Sequence, residues 1–290
     1  RLEPHDVGED EAALQLARAV SGANVRVEKP FTGRSNLFSE AAGVLVVDTA
    51  RVDGINDVDE RVTIATLPPY KTVEAGEMIG TVKIIPFAVP GETLAACVAK
   101  AHGAPLEVKA FRPLKVGVVS TLLPGLKSSI VTKTLRVLEE RLAPAAATIS
   151  REMRVAHETS ALVDAVRETL PSCDLLVIFG ASAITDRRDV IPSAVERAGG
   201  RIEHFGMPVD PGNLLLVGVF SEGATKKHVL GAPGCARSPK ENGFDWVLHR
   251  LLAGVEVTSG DIKRMGAGGL LMEIVQRGHP RGGEAQSAHE

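Results

Sequence analysis

From Leu114 onward the chain alternates short apolar runs with stretches of helical spacing. Lys115–Ser120 is β-branched and apolar, Asp174–Phe179 is apolar almost throughout, and Leu214–Phe220, Lys227–Leu230 and the shorter Ala145–Ser150 also read as strands. Between them, Ser128–Leu142 spaces Ile130, Leu135, Leu138 and Leu142 as a helix does, after a Ser start. Thr159–Leu170 carries Leu162, Val163, Val166 and Leu170 on one stripe, and Pro192–Ala198 and Pro239–Ala253 read as further helices. Fully apolar strands alternating with amphipathic helices predict a three-layer α/β/α fold whose mostly parallel sheet is covered on both faces.

The first hundred residues follow another pattern. Gly43–Asp48, Arg61–Leu67 and Thr81–Phe87 are β-like, with Asp53-Gly54, Pro68-Pro69, Ala75-Gly76 and Pro90-Gly91 as turn punctuation between them. A helix with an acidic start at Gly8–Glu11 opens the region, and a second is expected over Glu92–Ala101. Ala101–Pro113, with a Gly, two Pro and little periodicity, reads as a linker. At about 150 residues per domain the length suits two domains. The expected division is a smaller β-rich N-terminal domain with its linker over 1–112, an α/β domain over 113–275, and a disordered tail over 276–290.

Composition narrows the function classes. Aromatic residues supply only 3%, so the core is built from Ala, Val, Leu and Ile, while 29 glycines point to several tight or backbone-lined loops. Lys+Arg 33 against Asp+Glu 36 leaves a net charge of -3, with no electrostatic footprint for nucleic acid or an anionic membrane. No apolar run approaches the roughly 18 residues of a membrane span. Cys97, Cys173 and Cys235 are scattered without a CxxC, so reduced thiols and a cytoplasmic location are expected. The histidines form no metal-binding motif, and the chain carries no Ser nucleophile elbow, P-loop or GxGxxG.

In open parallel sheets ligands bind beyond the carboxyl ends of strands. Three loops there are rich in small and hydroxyl residues: Ser120–Gly125, Gly180–Asp189 and Gly231–Ser238. In the second, the small residues Gly180, Ala181, Ser182 and Ala183 let backbone N–H groups approach an anion. Asp186, Arg188 and Asp189 then suit a phosphate and a Mg²⁺ ion, with Asp189 expected to face the crevice; they equally suit a solvated loop whose charges pair with each other. The third loop, with Gly231, Pro233, Gly234 and Cys235, reads either as an anion-binding turn or as an ordinary one. Arg237 and Lys240 would stand against the dipole of a helix starting near Pro239, which favours an anion there. Cys235 reads as a packed thiol or, at that helix start, a reactive one. Gly234 would be left-handed if the turn demands it. The rigid turn Gly206–Asn213, containing Pro211 and Gly212, leads into the next strand.

Taken in order, these loops resemble the molybdopterin-binding family that includes MogA, MoeA and gephyrin. Gly180–Ala183 stands where that family has Gly-Gly-Thr-Gly, and Arg188-Asp189-Val190-Ile191-Pro192 where it has Arg-Asp-Val-Thr-Pro. Ala232-Pro233-Gly234-Cys235 is similar to its Pro-Gly-Asn/Ser-Pro loop, Asp210-Pro211-Gly212-Asn213 to its Lys-Pro-Gly-Lys turn, and Ser120-Thr121 to its first pterin-phosphate loop. The resemblance runs from about Leu114 to Met265, and the β-rich first half is similar to part of the longer, MoeA-like members. Three positions depart from the pattern: Leu122-Leu123-Pro124 replaces Gly-Asp-Glu, alanines 181 and 183 replace glycines, and Cys235 replaces a polar residue.

The resemblance implies a molybdopterin-binding protein of molybdenum-cofactor biosynthesis, a homo-oligomer and a transferase that inserts molybdate or transfers an adenylyl group. Its site residues would be Ser120, Thr121, Gly180–Ala183, Arg188, Pro211, Gly212, Gly231, Pro233, Gly234 and Cys235 for the pterin, with Asp189 and Asp186 for catalysis and Mg²⁺. The alternative is a non-catalytic carrier that delivers the cofactor to an apo-molybdoenzyme, a reading favoured by the missing acidic pair. An unrelated α/β nucleotide-binding enzyme is the third reading.

Overall fold

The structure, a computed structural model, describes residues 3–125, 128–223 and 225–271; the tail expected over 276–290 lies outside the described residues. The first half contains β1 (Asp6–Gly8), α1 (Glu9–Val20), β2 (Val25–Val27), β3 (Arg34–Ser39), β4 (Gly43–Val47), α2 (Thr49–Asn56), β5 (Val62–Thr66), β6 (Thr72–Val73), β7 (Met78–Ile84), β8 (Ala88–Pro90), α3 (Gly91–Lys100) and β9 (Leu106–Ala110). They form a four-stranded sheet β2-β3-β7-β5, a three-stranded sheet β6-β4-β9 and the pair β1-β8. One core serves all of them, with Leu16 of α1, Leu37 of β3, Leu45 of β4, Ile79 of β7 and Leu106 of β9 fully buried. The acidic residues Glu9, Asp10 and Glu11 in the first turn of α1, and Arg18 in its last, complement its dipole.

Two expectations for this half are corrected. Asp53-Gly54 is not a turn but lies inside α2, which Asp48 caps by accepting from the Arg51 N–H while Val52 and Ile55 bury one face. That cap and burial outweigh the poor helix propensity of one glycine. The stretch Ala101–Pro113 is not a bare linker, because β9 within it pairs residue for residue with β4. Leu106 and Val108 alternate inward there, a period too short-lived to stand out among the prolines and Gly103.

The second half holds β10 (Lys115–Leu122), α4 (Ser128–Leu142), β11 (Thr148–Ala156), α5 (Thr159–Thr169), β12 (Leu175–Phe179), α6 (Val190–Arg197), β13 (Arg201–Phe205), β14 (Leu216–Glu222), β15 (Thr225–Ala232), α7 (Gly243–Leu252) and α8 (Ser259–Lys263). Its single six-stranded sheet has the order β11-β10-β12-β15-β14-β13, and only β14 runs against the other five. Alternate strand residues face opposite layers. Val116, Val118, Val177 and Leu230 pack under α4 and α7. Val119, Leu176, Ile178 and Val229 pack under α5 and α6. This is the expected three-layer α/β/α arrangement.

Both edges of the sheet carry charge pairs two residues apart on one strand face: Glu152 with Arg154 on β11, 2.7 Å apart, and Arg201 with Glu203 on β13. Those charges disguise β11, which runs to Ala156 rather than stopping at Ser150. The helix expected from Pro239 begins only at Gly243. Asn242 accepts from Phe244 N–H and Asp245 returns a bond to the Asn242 N–H, a capping box that fixes the start. Residues Gly234–Arg237 form a 3₁₀ turn instead. Arg112 ties the two halves by donating from its backbone N–H to Leu252 O and from Nη2 to Leu251 O, at the end of α7. Among the described residues no helix is long and apolar enough to cross a membrane.

Candidate functional site

Four adjacent parallel strands, β11, β10, β12 and β15, end on the same edge of the sheet, and four polar groups gather there. His157 follows β11, Thr121 lies near the end of β10, Gly180–Ser182 follow β12, and Arg237 lies in the turn after β15. Thr121 Oγ1 accepts from the Ala181 N–H at 2.9 Å and lies 2.7 Å from His157 Nδ1. His157 Nε2 in turn lies 2.8 Å from Ser182 Oγ.

The proton positions follow from donor and acceptor capacity. Thr121 is 1% exposed, so its hydroxyl proton has no water to meet. Among the described residues the one acceptor within reach of that proton is His157 Nδ1. Reversing this bond would leave a buried donor unpaired at a cost of about 1–3 kcal/mol. Nδ1 therefore accepts, the imidazole carries its proton on Nε2, and Nε2–H donates to Ser182 Oγ. Ser182 is exposed, and its own O–H is left to donate outward. The chain from Ala181 N–H through Thr121, His157 and Ser182 runs in one direction, each bond polarising the next.

Arg237 adds the charge. Its Nη2 donates to Gly180 O at 2.7 Å and its Nη1 to Thr134 Oγ1 at 3.1 Å, with the guanidinium 5.4 Å from the centre of the Phe179 ring. Burial pushes this guanidinium down from its ordinary value, and among the described residues no carboxylate acts against that. A partly buried cation without a counter-ion, beside an outward-facing hydroxyl donor, is suited to an oxyanion such as a phosphate. Ser120, on the other face of β10, has a buried hydroxyl with no partner among the described residues.

The residues expected at the site are only partly united. Thr121, Gly180, Ala181 and Ser182 come together as described, with Ala183 exposed beside them. Gly180 and Gly231 are small for packing: a Cβ on either would stand 2.8 Å from an isoleucine methyl, Ile191 and Ile184 respectively. Gly234 is not left-handed, and a Cβ there would meet nothing within 4 Å. Pro233 precedes the 3₁₀ turn, and burial pushes the Cys235 thiol up, which suits a packed rather than a reactive sulfur. Pro211 and Gly212 are engaged elsewhere, Pro211 O accepting from Gly243 N–H at the start of α7. Lys240 does not stand at a helix start, and Arg237 serves the turn between the loops rather than opposing a dipole.

The charged part of the second loop folds on itself. Asp189 is held by its own loop: its Oδ2 accepts from Thr185 N–H, Asp186 N–H and Thr185 Oγ1 at 2.7, 2.9 and 3.2 Å. Those backbone N–H groups hold its carboxyl below the usual range. Asp186 takes a forked pair from Arg188, at 2.8 and 3.1 Å, which brings its carboxyl down to about 2. Arg188 is 90% exposed on its side chain. Among the described residues no three His, Cys, Asp or Glu groups are placed to hold a metal. Both carboxylates are engaged within their own loop.

His157 carries no signal in the sequence pattern, because the apolar run that marks β11 fades after Ser150 while the strand itself continues to Ala156 and sets His157 on the carboxyl edge. Arg237 was noticed, but for a helix that begins further on.

A polar rim on the carboxyl edge of a mostly parallel α/β sheet is the place where domains of this class bind ligands. Residues 117–253 match the family described as probable molybdopterin binding domain. No curated protein matches the sequence. Among solved structures, the chain is similar to the tungsten cofactor synthesizing protein MoaB from Pyrococcus furiosus, with 18% identity over 51% of this chain and 100% of that one, at a TM-score of 0.35. It is also similar to the molybdopterin biosynthesis MoeA protein from Pyrococcus horikosii, with 15% identity over 89% and 81% of the two chains and a TM-score of 0.36. A molybdenum cofactor biosynthesis protein from Pyrococcus furiosus shares 16% identity over 85% and 70%, at 0.31. Likenesses this distant carry no argument about the chemistry of this chain.

Proposed function

We propose that the chain binds molybdopterin through its phosphate at the carboxyl ends of β10, β12 and β15, and serves in molybdenum-cofactor biosynthesis. The observation that carries this is the presence, on one rim, of the outward Ser182 hydroxyl and the Arg237 guanidinium, which no carboxylate among the described residues neutralises. The family of residues 117–253 supplies the pterin. Ser182 and Arg237 would hold phosphate oxygens, and the backbone around Ala181 and Ala183 leaves room for close approach. Calorimetric titration with molybdopterin tests it: Ser182→Ala and Arg237→Met should each weaken binding at least tenfold, and unaltered affinity in both would refute the site.

A carrier role is favoured over transfer chemistry by two features. The loop after β10 continues Leu122-Leu123-Pro124 without a carboxylate, and Asp186 and Asp189 are engaged by their own loop. Incubation with molybdopterin, MgATP and molybdate separates the readings. Stoichiometric binding without turnover supports a carrier that hands cofactor to an apo-molybdoenzyme; adenylated or molybdenum-loaded product supports the enzyme.

A further inference from the structure

A cleft of about 920 Å³ opens between the turn at residues 68–72, the outer face of α7 and residues 264–268. It shares no lining residue with the rim formed by Thr121, His157, Ser182 and Arg237. The protein has a single tryptophan and a single tyrosine, and Trp246 and Tyr70 both line this cleft. The two aromatic rings of the chain that carry a polar tip thus share one cleft, and the eight phenylalanines lie outside its lining.

The cations of the cleft differ in how they are matched. Arg141 is paired with Asp245. Arg264 is paired with Asp261 at 2.7 Å, and Lys71 with Glu77 at 2.9 Å. Arg250 forms no ion pair among the described residues, and the Asp261 carboxylate that also lines the cleft is paired with Arg264 and acts on it only from a distance. Arg250 is 9% exposed, its guanidinium carbon lies 4.2 Å from the centre of the Tyr70 ring, and its one hydrogen bond among the described residues goes from Nη1 to the Met265 sulfur at 3.3 Å. A thioether is a weak acceptor, so most of this planar fork of donors is free to meet an anion. A buried charge matched only by a ring face, a thioether and a distant carboxylate is costly, and an arriving oxyanion lowers that cost.

The walls fit a ring. Tyr70 is held at φ 62, a left-handed conformation that a bulky residue rarely adopts, and its side chain stays 41% exposed. Its N–H donates to Leu45 O at 2.7 Å, which fixes the turn presenting the ring. The Trp246 Nε1–H donates to Glu241 at 2.9 Å, and His249 Nδ1 lies 3.2 Å from Thr72 Oγ1. Burial pushes His249 below its ordinary value, so it presents a neutral ring nitrogen.

We propose that this cleft is a second binding site, for a planar heteroaromatic ring bearing a phosphate: the ring lies against Trp246 and Tyr70, and the phosphate meets Arg250. Both a nucleotide and a pterin phosphate have this chemistry.

As the sole tryptophan, Trp246 reports on the cleft directly. Its fluorescence should change saturably on titration with ATP, GTP or CTP, or with molybdopterin; the arm that responds identifies the source of the ring. Arg250→Met should weaken that response at least tenfold. Tyr70→Gly should also weaken it, and because glycine suits φ 62 this variant keeps the test valid if Arg250→Met does not fold. No saturable change with any of these ligands overturns the proposal. So does an equal response to inorganic phosphate alone, an affinity unchanged in both variants, or a response that is lost in Ser182→Ala and therefore belongs to the rim.

Discussion

His157 Nε2 and Ser182 Oγ lie 2.8 Å apart, a separation at which a histidine could serve as base to a serine nucleophile. The bond runs the other way, because Thr121 donates to the far nitrogen and leaves the ring proton on Nε2. Ser182 is thus an acceptor from His157 and a donor to whatever stands outside.

Nitrogen-15 spectra of His157 should accordingly show the Nε2–H tautomer, and a fluorophosphonate should not label Ser182. Thr121→Val removes the donor while keeping the shape. It should cost about 1–2 kcal/mol of stability, release the tautomer and weaken molybdopterin binding about tenfold. Thr121→Ser should restore all three. Labelling of Ser182 in the native protein would show the relay to be directed oppositely.

Arg141 and Asp245 form a buried ion pair joining α4 to the cap of α7, and Arg141 also donates to Ala236 O and Ser238 O. Removing one partner strands the other charge. Asp245→Ala should destabilise the fold by about 3–5 kcal/mol in denaturant unfolding; a loss below about 1 kcal/mol would mean the pair is solvated.

His204, His228 and His249 are each pushed below the ordinary value of 6.5, chiefly by burial. Folding keeps them neutral, so their contribution is complete above pH 6.5 and is lost as pH falls through that value toward the lowered folded ones. The melting temperature should fall between pH 7.5 and 5.5. His228→Gln should flatten that dependence, since the buried His228 Nδ1 has no partner to lose among the described residues.

The loop carboxylates respond in a lower window. Asp186, ordinarily near 3.8, should titrate at about 2 by carbon NMR because Arg188 holds it charged. Arg188→Ala should return it toward 3.8. A native midpoint already at 3.8 would mean that the fork is not formed in solution.

The layers of the second half were legible because apolar runs and helical stripes are properties of the chain itself. The rim was legible only as loops. Gly180 and Gly231 announce that space is scarce, but not that Ile191 and Ile184 take it up. His157 was hidden because an edge strand faces solvent and carries Arg151, Glu152 and Arg154 where a central strand carries valines. The start of α7 was legible in principle, in the spacing of Asn242 and Asp245, but Pro239 is an equally familiar first-turn residue and drew the boundary forward. Arg250 gave no signal at all. Only the fold shows that it has no ion pair among the described residues.

The charged pairs on β11 and β13 bear on assembly. An unpaired strand edge is a template on which another chain can add, and a row of Arg and Glu side chains makes that addition unfavourable. With both margins guarded in this way, the sheet has no inexpensive route to continue into a neighbouring molecule. A homo-oligomer of this protein would then have to be built through surfaces other than these two strand edges.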